Sequence, residues 1–518
     1  MEPVAETAPL DSVMPRLRTI QTFPPHVSGI RWDLAAAAIF LALALVFCWG
    51  AIWFGFEIGG DEHYEVTKSF LWSEGFHLYQ DIWNDQQPLL TVLQGLLFEG
   101  FGVHAGAARG LALAFGVLLV TGLFHLVRES FGVPAAFIAM ISLLAAPHVF
   151  RLSLSPMSEL PAFAVGLWSL WAIRRWDRDG RRVWLAASGM ILAVALEIKL
   201  TAVVLAPALG VELVILALAR PGAGKVPQAA RAGLIWGGSV LGGLVFLGLI
   251  LGTGYHQALA SHFSPIGSAA LAEMRQYTFT VGKLLRYRQA LFALAAALCL
   301  AVPRRRLKRL AFPLALFATA AAVHLLYHPF WSYYYLHFAV PVAWLTGYAA
   351  GELWKMAGEA LRSRPRPSLR GFGMASAASL LCAAVLTYAG IQLGPEIRRI
   401  RQVPRVDADR LVAEMKAAAP GTQWVYTRAT MYAFHARLRV IPELAVMPMK
   451  RFWSGQITQP EILALVKRFA PEQLLLDDRD MADASMHEFV EDNYRLQSRE
   501  AGLSLWLKAG ISCRKRTH

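Results

Sequence analysis

The chain has 518 residues, of which 56% are hydrophobic and 17% carry a charge, whereas soluble domains carry about 25% charged residues. Apolar runs of about eighteen residues or more recur up to residue 394, and runs of this length predict transmembrane helices. The net charge of +14 lies mainly in basic clusters at the ends of these runs, as the positive-inside rule predicts. These features indicate a polytopic membrane protein and argue against nucleic-acid binding.

The start of the chain, residues 1–33, is polar and contains arginines before the first apolar run. It predicts a cytoplasmic tail rather than a cleavable signal. The four cysteines have neither metal-ligand nor redox spacing. The sequence also lacks a Walker loop, a Rossmann glycine fingerprint and a Gly-x-Ser-x-Gly elbow. No motif therefore indicates ATP, a nucleotide-sugar donor or a bound metal.

About eleven transmembrane helices are predicted between residues 34 and 394, because this assignment places the large basic clusters on one side. Between the first two spans lies a large first outer loop, about residues 57–106. Its apolar part, residues 88–101, is too short to span and predicts an interfacial helix. The predicted spans cover about residues 34–56, 107–127, 134–149, 160–173, 183–199, 201–219 and 233–251, then one that ends at 303, one that ends at 324, and residues 338–353 and 374–394.

From residue 395 the composition becomes that of a globular domain. Helical patterns at residues 406–419 and 459–470 alternate with strand-like patterns, which predicts a small C-terminal α/β domain over residues 395–518. An odd number of spans after a cytoplasmic N-terminus places this domain in the periplasm. The strand-like segments are residues 423–427, 473–478 and 503–508.

The first outer loop opens with an acidic pair, Asp61 and Glu62, directly after two glycines. A carboxylate at this position can act as a general base toward an acceptor hydroxyl or amine. As an alternative, Asp61 caps the helix that follows. Glu65 lies one turn further on the same helix face, and Tyr64 and Asp85 belong to the same polar loop. These last three residues are predicted to bind the acceptor or its carrier.

Two further charged residues lie at the predicted outer ends of spans. Glu159 lies at the entrance of the fourth span, where a carboxylate at the edge of the hydrocarbon is costly and tends to be functional. Lys199 ends the fifth span and can pair with a phosphate. Snorkelling to the interface and pairing with Glu197 are the alternatives for this lysine.

Positive charge and aromatic rings gather in two later outer loops. Arg275 and Arg286 run against the positive-inside trend, and a phosphate site for the donor would explain them. The aromatic loop at residues 327–337 fits either an interfacial aromatic belt or the lining of a groove for a lipid carrier. Its candidate carrier-binding residues are His328, Trp331, Tyr334 and His337.

Several motifs together resemble those of glycosyltransferase family 39, which includes protein O-mannosyltransferases and lipid A aminoarabinose transferases. The resemblance covers roughly residues 34–355. It implies a GT-C fold, a polyprenyl-phosphate-linked sugar donor and transfer on the periplasmic face. The motifs are GDEHYE and HLYQDIWNDQQPLL in the first outer loop, SELPAF at 158–163, IKLTAVVLAP at 198–207 and FWSYYYLHFAVPV at 330–342.

The resemblance also implies roles for single residues. Asp61 resembles the catalytic aspartate of the family's first loop, Glu159 the acidic residue of its second outer loop, and Lys199 the lysine near the donor phosphate. The triplet Gln86-Gln87-Pro88 departs from the Glu-Lys-Pro-like triplet of aminoarabinose transferases. This departure argues against lipid A as the acceptor and weakens the case for a bound metal. No cofactor is predicted with certainty, and a divalent metal stays an open alternative that no ligand motif supports.

The sequence therefore predicts a hexosyl- or pentosyltransferase of the bacterial inner membrane. It would move a sugar from a polyprenyl phosphate to a periplasmic lipid, glycan or protein, with Asp61 as general base and with Glu62 and Glu159 positioning the acceptor or the base. Lys199 and the outer-loop arginines would hold the leaving phosphate. Two alternatives stay open: a transporter or flippase for a lipid-linked sugar, and a non-catalytic subunit that binds the carrier. Transporters usually show internal repeats and interrupted helices, which are not evident in the sequence.

Overall fold

A computed structural model of the protein describes residues 27–220, 224–263, 273–286, 309–327, 329–362 and 369–510. The predicted eighth span, His328 and the side chains of Arg275 and Arg286 lie outside the described part. The helices in chain order are α1 (Val27–Phe54), α2 (Glu62–Ser73), α3 (Leu89–Phe101), α4 (Ala105–Phe131), α5 (Val133–Leu144), α6 (Val149–Leu152), α7 (Glu159–Asp179), α8 (Val183–Ile198), α9 (Leu205–Ala219), α10 (Lys225–Leu251), α11 (Tyr255–Phe263), α12 (Val281–Arg286), α13 (Ala311–Leu326), α14 (Tyr335–Arg362), α15 (Leu369–Arg401), α16 (Arg410–Ala417), α17 (Thr430–Ala436), α18 (Met449–Trp453), α19 (Gln459–Phe469), α20 (Asp478–Met481) and α21 (Ala484–Asn493).

Within the described residues, five helices are long and apolar enough to cross a membrane. Four others, α3, α5, α8 and α13, are apolar but shorter. Helix lengths therefore support a multi-pass membrane protein without fixing the number of spans at eleven. The five long apolar segments are Gly29–Phe54, Ala105–Phe131, Leu200–Ala219, Lys225–Leu251 and Ala375–Arg401.

Helix ends differ from the predicted span boundaries in several places, two of which lie between residues 133 and 179. The third span was predicted to reach residue 149, but α5 ends at Leu144 and the short α6 begins at Val149. Pro147 interrupts the helix here, and His148 takes a left-handed conformation with φ 65°. The fourth span was predicted to end at residue 173, but α7 continues to Asp179. A helix can continue beyond hydrocarbon with charged residues, and Arg175 stabilises this end by pairing with Asp179 at 2.8 Å.

The helices of the membrane region pack around a large apolar core. Helix α7 packs against α8 and α4, α8 packs against α10, and α5 packs against α14. At the predicted cytoplasmic end, Arg128 Nε of α4 donates a hydrogen bond to Asp33 Oδ1 of α1 at 2.9 Å, and His125 Nδ1 lies 2.8 Å from Asp33 Oδ2. These contacts fix α1 against α4, so the first outer loop starts from a defined position.

The C-terminal region contains a four-stranded sheet in the order β1-β2-β4-β3, with β1 (Val425–Thr427), β2 (Gln473–Leu476), β3 (Tyr494–Glu500) and β4 (Leu503–Lys508). Strands β1 and β2 are parallel, and the other pairs are antiparallel. Strand β3 was not predicted, because most of its residues are polar and exposed. It joins β4 through Ala501 and Gly502, whose φ angles of 50° and 78° suit a two-residue hairpin turn.

The C-terminal region lies directly on the first outer loop. The predicted domain boundary at residue 395 falls inside α15, and the chain then turns back onto the end of α1. There the backbone N–H of Phe56 donates to the carbonyl oxygen of Pro404 at 2.7 Å, and His435 Nε2 lies 2.8 Å from the carbonyl oxygen of Phe56. Apolar clusters contain side chains from both parts, so the two are packed together rather than joined by a free linker.

Candidate active site

A cavity of about 250 Å³ lies between the first outer loop, the start of α7, the segment before α14 and the C-terminal region. It brings together residues that the sequence analysis selected from four separate segments. The charged, polar and aromatic residues of its lining are Asp61, His63, Tyr64, Glu65, Lys68, Asp85, Gln86, Ser158, Glu159, Lys199, Tyr327, Trp331, Tyr333, Tyr334 and Lys450.

Asp61 immediately precedes α2 and faces this cavity with a partly exposed side chain. The residue has φ −110° and ψ 9°, and its carboxylate makes no capping hydrogen bond. Asp61 thus occupies the N-cap position of α2, as the alternative interpretation expected, but its side chain does not cap the helix through a hydrogen bond. Burial raises the pKa of the carboxyl above its ordinary value, while the positive charges of His63 and Lys199 act in the opposite direction. A carboxylate with a pKa shifted toward neutrality is suited to general-base catalysis.

Glu62, the other member of the acidic pair, does not line this cavity. Its Oε1 accepts a hydrogen bond from Arg109 Nε of α4 at 2.6 Å, and both side chains are fully buried. Its Oε2 accepts from the backbone N–H groups of Ile58 at 2.6 Å and Gly59 at 3.2 Å. The guanidinium also donates to carbonyl oxygens at the end of α1. These belong to Ala51, Ile52, Gly55 and Phe56. This geometry gives Glu62 a structural role in joining α1, α2 and α4, instead of the predicted catalytic one.

Glu159 and Lys199 meet at the cavity wall. Glu159 is the first residue of α7, Lys199 follows the end of α8, and their side chains form a buried ion pair. The ammonium of Lys199 also lies 5.2 Å from the ring centroid of Tyr333. The two alternatives for Lys199 are wrong, because the lysine is buried and Glu197 accepts a hydrogen bond from Thr253 Oγ1 at 2.8 Å instead. The pair keeps both charges buried beside the cavity.

Helix α2 contributes a second buried ion pair. Lys68 Nζ donates to Glu65 Oε1 and to Asn84 Oδ1, both at 3.2 Å. Asn84 Nδ2 donates in turn to the carbonyl oxygen of Gln86 at 2.7 Å. This network fixes the polar end of the first outer loop, so that Asp85 and Gln86 line the cavity.

The aromatic loop before α14 contributes Trp331, Tyr333 and Tyr334 to the cavity. His337 does not line it. Its Nδ1 lies 2.9 Å from His324 Nε2, and its ring stacks on Phe163 with centroids 4.5 Å apart. The structure therefore places His337 in packing between helices rather than at the predicted carrier site.

Three charged or titratable residues of the cavity were not predicted from the sequence: His63, Lys68 and Lys450. Lys68 could have been found, because it follows Glu65 by three residues on one helix and such pairs are neighbours. His63 lies in the predicted helix, but nothing in the sequence separates it from a surface histidine. Lys450 is distant in sequence and lies in the C-terminal region, so no local signal marks it.

A second cavity of about 600 Å³ lies between the start of α2 and the C-terminal region. It shares His63, Tyr64 and Met449 with the first cavity. At its wall His63 Nδ1 lies 2.8 Å from Glu57 Oε1. The other charged and aromatic residues of its lining are Phe56, Glu273, Arg428, Tyr432, Phe452, Trp453, Asp477 and Arg479. The two cavities therefore adjoin the same three residues, His63, Tyr64 and Met449.

Comparison with known proteins identifies the architecture. Residues 85–235 match the family model described as dolichyl-phosphate-mannose-protein mannosyltransferase. The crystal structure of ArnT from Cupriavidus metallidurans bound to undecaprenyl phosphate is similar with a TM-score of 0.59 and 15% sequence identity, over 91% of this chain and 98% of that one.

The resemblance to glycosyltransferase family 39 is confirmed. The GT-C fold is also shared with the oligosaccharyltransferase AglB from Archaeoglobus fulgidus, in complex with an inhibitory peptide and a dolichol-phosphate. That comparison gives a TM-score of 0.55 and 12% identity over 93% of this chain and 74% of that one. No curated protein sequence matches the chain significantly.

The GT-C architecture agrees with the multi-pass membrane character of the helices. Within the described part of the chain, no three or more His, Cys, Asp or Glu side chains are grouped so that they could hold a metal ion.

Proposed function

We propose that the protein is a membrane glycosyltransferase that moves one sugar from a polyprenyl-phosphate donor to a lipid, glycan or protein acceptor. The observation that carries this proposal is the convergence of Asp61 with the Glu159–Lys199 pair at one cavity. A transferase of this kind needs a base for the acceptor and a positive charge for the leaving phosphate. The match to a mannosyltransferase family model over residues 85–235 supports the same reaction class.

In the proposed reaction, Asp61 removes the proton from an acceptor hydroxyl or amine as that group attacks the anomeric carbon of the sugar. A new bond forms between the acceptor and this carbon, and the bond from the carbon to the phosphate oxygen breaks. The electron pair of the broken bond leaves with the carrier phosphate. Lys199 stabilises the negative charge that develops there, while Glu159 holds the ammonium in position. We propose an inverting displacement from the family resemblance.

The acceptor is proposed to enter through the second cavity. Its wall contains His63 and Tyr64, which also line the first cavity, so an acceptor held there lies next to the cavity that contains Asp61. The aromatic rings of Tyr432 and Trp453 and the guanidinium of Arg428 offer contacts for a polar acceptor. Glu65, Asp85, Trp331 and Tyr334 are proposed to contact the acceptor or the carrier in the first cavity.

The orientation follows from the same proposal. We place the N-terminal tail in the cytoplasm and the C-terminal domain in the periplasm of a bacterial inner membrane, because the basic clusters then lie inside. Arg275 and Arg286 are proposed to add positive charge near the donor phosphate from the second large outer loop.

The test is turnover by purified protein in lipid, comparing the wild type with Asp61→Asn. The assay offers polyprenyl-phosphate sugars and a mixed lipid, glycan and peptide acceptor extract, and it measures the release of free polyprenyl phosphate. Release by the wild type that is lost in Asp61→Asn supports the transferase with Asp61 as base. Equal release by both proteins would contradict the role of Asp61. Movement of the intact donor across the bilayer without release would favour a flippase instead.

A further inference from the structure

The first cavity contains a lysine that comes from the C-terminal region. Lys450 belongs to α18 and lines the cavity together with its neighbours Pro448 and Met449. It therefore shares a cavity with Asp61 and Lys199, which come from the membrane part of the chain. The position of this ammonium depends on how firmly the two parts are held together.

The segment that carries Lys450 is anchored on both sides of it. Before it, Tyr64 Oη of α2 donates a hydrogen bond to the carbonyl oxygen of Met447 at 3.1 Å. After it, the guanidinium of Arg451 lies 4.7 Å from the ring centroid of Trp83, a residue of the first outer loop. These contacts hold the backbone around Lys450 against the first outer loop.

A third anchor lies three residues after Lys450. Trp453 is stacked on Trp331 of the aromatic loop, with ring centroids 6.2 Å apart and an interplanar angle of 5°. The indole Nε1 of Trp453 donates to Glu273 Oε2 at 2.7 Å. Contacts with the aromatic loop and with the first outer loop therefore fix the position of this lysine. Its ammonium group is held where it can contact a ligand in the cavity.

The other cavity lysines each form an ion pair with a carboxylate. Lys68 pairs with Glu65, and Lys199 pairs with Glu159. In the described part of the chain, by contrast, the ammonium of Lys450 makes no ion pair and no hydrogen bond.

The surroundings of Lys450 disfavour its positive charge. Burial lowers the pKa of Lys450 to about 8, with Asp85 acting to raise the pKa and Lys199 acting to lower it further. A half-buried ammonium without a partner is costly. It repels a second lysine across the same cavity, and an anion between the two would remove both costs. Phosphate oxygens form short, charge-assisted hydrogen bonds with ammonium groups.

We propose that Lys450 binds the phosphate of a polyprenyl-phosphate carrier, so that the C-terminal domain completes the donor site. The identity of this ligand rests on the proposed transferase function. The phosphate then lies between Lys450 and Lys199, and the carrier is held by both the membrane part and the C-terminal domain. Without the C-terminal domain the donor site has fewer positive charges.

The experiment measures binding of undecaprenyl phosphate, and separately of undecaprenol, to the purified full chain in detergent. The variants are Lys450→Met, Lys450→Arg and the matched control Lys467→Met. Lys467 is an exposed lysine of the same domain, 5.3 Å from the ring centroid of Phe489 and outside both cavities. Loss of one charge-assisted contact predicts roughly ten- to a hundredfold weaker binding of undecaprenyl phosphate by Lys450→Met. Binding by Lys450→Arg and Lys467→Met should stay within about threefold of the wild type.

Undecaprenol lacks the phosphate, so its binding should be the same in the wild type and in Lys450→Met. Unchanged binding of undecaprenyl phosphate by Lys450→Met would overturn the proposal. An equal loss for both ligands would also overturn it, since that result would indicate a damaged cavity. A selective loss for the phosphate in a protein that transfers no sugar would support the phosphate site and contradict the proposed function. Recovery of binding in Lys450→Arg excludes misfolding as the cause.

Discussion

The adjacent carboxylates Asp61 and Glu62 have opposite roles in this structure, and Glu62→Gln tests the difference. In the wild type, Glu62 Oε1 accepts from Arg109 Nε at 2.6 Å, and Oε2 accepts from two backbone N–H groups. The substitution removes the negative charge and replaces one acceptor oxygen with a donor. Removing one partner of a buried ion pair costs about 3–5 kcal/mol of unfolding free energy. The carbonyl oxygens at the end of α1 still accept from Arg109, so we expect the lower end of that range.

The measurement is thermal unfolding in detergent, followed by circular dichroism and paired with turnover below the transition. We expect Glu62→Gln to unfold at a clearly lower temperature and to retain most of its turnover while folded. Glu99→Gln is the matched control, because Glu99 is exposed on α3 and its substitution should change neither property. Arg109→Met should destabilise similarly, and the double variant should fall short of the sum because the residues are in contact. Wild-type stability combined with lost turnover in Glu62→Gln would refute the structural role.

Three further predictions concern the cavity. Lys199→Met should lower the free energy of unfolding by about 3–5 kcal/mol, because it leaves Glu159 buried without its partner. Adding Glu159→Gln should restore the melting temperature but not turnover. Recovery of turnover in the double variant would contradict the phosphate role of Lys199. Lys450 has a pKa of about 8 in the free protein, so it is charged below that pH and neutral above it. The affinity for undecaprenyl phosphate should therefore fall as the pH rises through about 8. An identical pH profile in Lys450→Arg would contradict this assignment. Trp331→Ala removes the ring stacking on Trp453. It should speed amide hydrogen exchange in residues 446–453 and weaken carrier binding. Unchanged exchange would show that the stacking does not fix this segment.

Much of the fold could be predicted because its signals are local. An apolar run long enough to cross a bilayer predicts a helix from its own residues, and α1 and α10 follow this rule. The predicted elements differ from the structure where a feature other than the length of an apolar run determines the fold. Pro147 divides a single apolar run into α5 and α6, and α7 continues beyond its apolar part with charged residues such as Arg175 and Asp179, which pair with each other. Strand β3 is polar, and it forms a strand because it pairs with β4. Its own residues do not indicate this pairing.

The candidate site was predictable only in part, for the same reason. Asp61 and Glu159 lie at the outer ends of predicted spans, where a carboxylate is unusual, and this local signal selected them. The separation of Asp61 from Glu62 could not be predicted, because it depends on Arg109, which lies in another helix. The contribution of Lys450 depends on the packing of α18 against Trp83 and Trp331, and no sequence pattern connects these segments.

The properties of Asp61 also distinguish a transferase from a subunit that only binds the carrier. In the described part of the chain its carboxylate makes no hydrogen bond, and burial raises its pKa, so its charged form is not stabilised by the fold. Asp61→Asn should therefore keep the melting temperature of the wild type or raise it slightly.

Binding of undecaprenyl phosphate should also persist in Asp61→Asn, since the lysines are intact. If Asp61 is the base, turnover should still fall by about 10²- to 10⁴-fold. A drop in melting temperature comparable to that of Glu62→Gln would instead give Asp61 a structural role. Normal turnover in Asp61→Asn would move the base to another carboxylate of the cavity, and Glu65 and Asp85 would be the next to test.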